Sequence, residues 1–87
     1  MTIRHKKNYN PKLIEMGERL REMRKKKNLT ISKFSELINL SDKIISNYEN
    51  GKNLITIESI VKIYKSNVFY PMTLTELLDI LVVSVFE

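Results

Sequence analysis

The chain predicts an all-α domain of five short helices, with a basic N-terminal arm before it and an apolar C-terminal tail after it. Three observations predict this class. Apolar residues recur at three- and four-residue spacing in successive segments, the period of a helix packed through one face. Most of these segments open on a capping residue (Asn10, Thr30, Ser41 and Thr73) and close on asparagine, glycine or a proline-bearing loop. At 87 residues without cysteine, the chain forms one domain and holds no disulfide, iron–sulfur cluster or thiolate zinc site.

Residues 1–9 carry little apolar content and read as a flexible basic arm. His5 there is expected to be solvated. The domain spans 10–80. Asn10-Pro11 is an N-cap followed by proline at the first helical position, and Leu13, Met16, Leu20 and Met23 then mark a first helix running to Lys27. Glu15→Arg19 and Glu22→Lys26 are expected to pair on its outer face. Asn28 supplies a left-handed stop. Thr30 caps a second helix with Phe34, Leu37 and Ile38 inward, and Asn39 suits the positive φ of the turn after it. Ser41 caps a third helix that Gly51 ends. A fourth begins near Thr56 or Ile57, with Ile57, Ile60, Val61 and Tyr64 on its buried side. The loop Asn67–Met72 contains Tyr70-Pro71, which blocks helix continuation, and Thr73-Leu74-Thr75-Glu76 is a capping box opening a fifth helix. In the tail, 81–87, the β-branched run after Ile80 fits a helix or a short strand equally well.

Charge is distributed unevenly. Residues 1–33 hold eleven Lys/Arg against three Glu, a net of +8; residues 34–65 balance; residues 66–87 hold three acidic groups and no cation. A cationic end suits a polyanion, and an acidic, apolar end suits a protein contact. The carboxylates are dispersed, no metal-ligand spacing occurs, and the two glycines make no nucleotide-binding loop. No enzyme, cofactor or small-molecule ligand is expected. The apolar run Ile80–Val83 is far too short for a membrane span, and the first dozen residues lack the apolar segment of a secretory signal, so a soluble cytoplasmic protein is expected.

On a helical wheel of Ser41–Asn50 with Ile45 toward the core, Ser41, Tyr48 and Glu49 fall near it. Lys43 and Asn47 lie opposite, one turn apart, flanked by Ile44 and Ser46. Lys43 can donate to guanine O6/N7 or to a phosphate, Asn47 matches adenine N6/N7, and Ile44 suits a thymine methyl. A plain solvated face would carry the same residue types.

Residues Met16 to Leu78 resemble the phage Cro/repressor-like (XRE-type) helix-turn-helix DNA-binding domain family. The resemblance rests on GERLREMRKKKNLT at Gly17–Thr30, F-S-E-L-I at Phe34–Ile38 and SDKIISNYENGK at Ser41–Lys52, with TIESIVKIYKS and LTELL following in order. It implies a five-helix bundle whose third helix reads the major groove while the second crosses the backbone. By position, it implies base reading by Asp42, Lys43, Ile44 and Asn47. Phosphate contacts fall to Thr30, Ile31, Ser41 and the loop Asn50, Gly51, Lys52 and Asn53, and Arg24 is implied to pair with Glu49. The chain departs from the family pattern in four places. Ile31 replaces a DNA-reaching glutamine, and Asp42 brings a carboxylate to the groove-facing helix start. Asn39 stands for the turn glycine, and Ser35 for a small alanine.

The tail residues Leu77, Leu78, Ile80, Leu81, Val82, Val83, Val85 and Phe86 offer more apolar surface than one side of a short helix buries. They fold back on the domain, close a homodimer through residues 73–86, or await a different protein, as in an antitoxin or other interaction module. The expectation is a bacterial or phage-encoded, nucleoid-associated regulator that binds double-stranded DNA as a homodimer on a palindromic operator, with no membrane partner.

Overall fold

A computed structural model describes residues 10–87, and the arm 1–9 lies outside the described residues. The order is α1 (Pro11–Lys26), α2 (Ile31–Ile38), α3 (Asp42–Glu49), α4 (Ile57–Lys65) and α5 (Leu74–Leu78), the last running on through a π-helical turn (Asp79–Val83) into α6 (Ser84–Phe86). The described residues form an all-helical fold without strands, so the tail is helix.

Local chemistry places the boundaries. Asn10 Oδ1 accepts the Lys12 and Leu13 N–H groups ahead of α1, and Thr30, Ser41 and Thr56 each cap the N–H three residues on. At α5 the box is complete: Thr73 Oγ1 accepts Glu76 N–H at 3.1 Å, and Glu76 Oε1 accepts Thr73 N–H at 2.8 Å. Asn28, Asn39 and Asn67 turn the chain at φ of 58°, 60° and 61°. Asparagine tolerates that region through its short polar side chain.

Met16, Leu20, Phe34, Ile38, Ile45, Tyr48, Ile60, Ile63, Leu77, Leu81 and Val85 form one core, joined by Ile55 and Phe69 from connecting segments. The Phe69 ring stands 5.8 Å from that of Phe34. Three expected positions are corrected. Ile57 is 67% exposed and Tyr64 is also exposed, because α4 turns Ser59, Ile60 and Ile63 inward. The cause is polar: the buried Tyr48 hydroxyl bonds Ser59 Oγ at 2.7 Å, fixing the rotation of a helix that is apolar on several sides. Leu37 is exposed, leaving Phe34, Ser35 and Ile38 as the buried face of α2.

Two expectations about α1 also change. Arg19 pairs with Glu15 at 2.7 Å, yet it faces the C-terminal helix rather than open solvent. Its Nη1 donates to Ile80 O at 2.8 Å and to Ser84 Oγ at 2.5 Å. This clamps α1 onto the π-helical turn. Glu22 and Lys26 form no ion pair among the described residues.

Candidate nucleic-acid interface

The third helix is held from behind by a polar anchor. Arg24 Nε donates to Glu49 Oε2 at 2.8 Å and Nη2 to Oε1 at 2.9 Å, a bidentate pair whose carboxylate is 1% exposed. Arg24 Nη1 also donates to Leu29 O at 2.7 Å, so one guanidinium ties α1, the α1–α2 turn and α3 together. The Glu49 hydrogen bond raises the Arg24 pKa; burial opposes this and the Glu49 charge adds to it. Arg21 reinforces the anchor, reaching Glu49 Oε1 at 3.4 Å and Asn50 Oδ1 at 3.0 Å. Among the described residues no buried side-chain polar atom lacks a partner.

Gly17 sets the distance between these helices. A Cβ there would collide with the Tyr48 carbonyl oxygen and stand 2.8 Å from that of Glu49. Gly51, just past that same C-terminal end of α3, is also required: its φ is 73°, and a Cβ would meet Ile14 Cγ1 at 2.7 Å. Sequence reasoning assigned Gly17 no part beyond the family match; a glycine among large residues in a helix was the available signal.

With Ile45, Tyr48 and Glu49 buried, the opposite side of α3 is left to solvent. Asp42 and Lys43 are exposed, Ile44 is 39% exposed, and Asn47 is half-buried one turn beyond Lys43. Lys43 and Lys52 enter no ion pair among the described residues, which leaves their charge for an outside anion.

The neighbouring residues divide by what their polar groups already hold. Thr30 Oγ1 accepts Lys33 N–H at 3.0 Å; the N–H groups of half-buried Ile31 and exposed Ser32 have no acceptor within their helix. Ser41 Oγ likewise accepts Ile44 N–H at 3.1 Å. Asn50 is engaged on both sides, by Arg21 and by Ser46 Oγ at 3.2 Å. Gly51 is buried and donates to Tyr48 O at 3.1 Å, and Lys52 N–H donates to Asn47 O at 2.9 Å. Gly51 therefore shapes the loop by packing, and what the loop offers outward is the exposed Lys52 and Asn53 side chains.

The described residues hold no cluster of three metal-ligating side chains and no helix long and apolar enough to cross a membrane. A family model for a helix-turn-helix domain matches residues 17–79, which takes in α1 from Gly17, the α2–α3 pair, α4 and α5. No curated protein and no solved structure matches the chain. The match covers well over half of the sequence, and its central pair of helices is the one that leaves a polar and basic face in solvent. By that match and that architecture, the chain belongs to the XRE-like helix-turn-helix family of DNA-binding regulator domains.

Proposed function

We propose that the protein is a sequence-specific transcriptional regulator, a dimeric repressor and autoregulator that occupies a palindromic operator. One observation carries this: α3 is pinned on its inner side by Tyr48 and the Arg24–Glu49 pair, while Lys43, Ile44 and Asn47 stand on the accessible side of the same short helix. A rigid helix with two hydrogen-bonding side chains one turn apart and an apolar one between them matches the donors, acceptors and methyl groups of a major-groove edge. In this proposal Lys43 and Asn47 read bases, Ile44 meets a thymine methyl, and Lys52, Asn53 and the first turn of α2 meet phosphates.

Selection of bound sequences from random duplex DNA by the intact chain tests it, with quantitative binding on the selected site. Asn47→Ala is expected to lose about 1–3 kcal/mol on that site and to relax choice at one base pair. Lys52→Ala is expected to weaken specific and random DNA alike and to flatten the salt dependence by about one charge. Equal losses for Asn47→Ala on selected and random DNA would remove it from base readout.

A further inference from the structure

We propose that Ser35 is a positioning residue for base readout. Its buried hydroxyl tethers the Asp42 carboxylate to α2, so that α3 presents one fixed acceptor to a base pair carrying an exocyclic amine, cytosine N4 or adenine N6. This rests on the DNA-reading role of α3 proposed above.

Ser35 Oγ lies 2.5 Å from Asp42 Oδ1 and 2.7 Å from Ser32 O, and both of those oxygens only accept. A hydroxyl has a single proton. Two oxygens 2.5 Å apart with none between them would repel, so the proton points at Asp42. That length falls in the range of a charge-assisted O–H···O⁻ bond.

The bond crosses the turn from a buried residue of α2 to the first residue of α3. Asp42 is itself exposed, so with Oδ1 held inward the second oxygen remains at the helix start, beside Lys43. A free aspartate there would turn among rotamers and lean over the unpaired N–H groups of its own first turn. Tethered, it holds one direction. A fixed negative acceptor takes a hydrogen bond from an amine and repels guanine O6/N7 and thymine O4, so it discriminates between base edges as well as attracting one.

Ser35→Ala removes the hydroxyl, keeps the small volume and favours the helix. Random-duplex selection with the intact chain, S35A, D42N and the double variant reads the effect. The unmodified chain is expected to enrich cytosine or adenine at one position of each half-site. S35A should lower that enrichment about tenfold, the order of a lost hydrogen bond to a charged group. Other positions and the affinity for random DNA should stay unchanged, D42N should relax the same position, and S35A should add nothing in the D42N background.

An unchanged preference in S35A, or in D42N if S35A does not fold, overturns the proposal. So does a loss spread evenly over all positions and random DNA, which marks a packing role. If the unmodified chain selects no sequence at all, the DNA-reading proposal falls first and this one with it.

Discussion

Arg24 and Glu49 show how a single side-chain pair governs this molecule. Both are buried, so removing one strands the other charge away from water, and that penalty exceeds the net worth of the intact pair. Glu49→Gln is expected to destabilise the fold by about 3 kcal/mol in urea unfolding. Replacing both, as Arg24→Met with Glu49→Leu, should cost less than either single change. A double variant weaker than both singles would contradict this. The Arg24 pKa is raised in the fold by Glu49, so its contribution is fully present at neutral pH and is lost as pH climbs through that raised value, under strongly alkaline conditions. The partnership itself was suggested by family resemblance. Its burial was not, since a sequence shows two opposite charges and not the helices that close over them.

Among the elements, the helix starts were the most legible. Asn10, Thr30, Ser41 and the Thr73–Glu76 box all cap where their residue types predict, because a cap is satisfied within a few residues and needs no tertiary partner. The buried side of α4 was not legible. Ile57, Ile60, Val61, Ile63 and Tyr64 surround much of that helix, so more than one face is apolar enough, and the Tyr48–Ser59 hydrogen bond chose between them. The close approach of α1 to α3 was also hidden. Gly17→Ala should push these helices apart, because the methyl group meets backbone carbonyls that cannot rotate away. A loss of about 2 kcal/mol is expected, seen as a Tm lower by about 10 °C. An unchanged Tm would mean that the helices slide apart without penalty.

At the scale of the whole molecule, the C-terminal segment is the surface through which the proposed dimer would form. Leu77, Leu81 and Val85 enter the core and Arg19 clamps the π-helical turn, so much of the apolar surface is covered within one chain. Val83 at 50% and Phe86 at 40% exposure remain outside. In the proposed dimer they meet their symmetry mates, and two α3 helices would face successive major-groove turns about 34 Å apart. Light scattering is expected to give a dimer for the intact chain and a monomer for Val83→Asp with Phe86→Asp, with unchanged far-ultraviolet circular dichroism. A monomeric intact chain, or one that aggregates until a different protein is added, would count against self-association.

By itself the sequence determined the helical class, the caps and turns, the uneven charge and the residues of the α3 face, because each is written in local spacing and residue type. Tertiary structure decided which side of α4 is buried, that the tail is helical and clamped by Arg19, that Gly17 and Gly51 serve close packing, and that Ser35 holds Asp42. Those outcomes depend on atoms distant in sequence competing for the same buried space and the same hydrogen bonds, and no local pattern records who wins that competition.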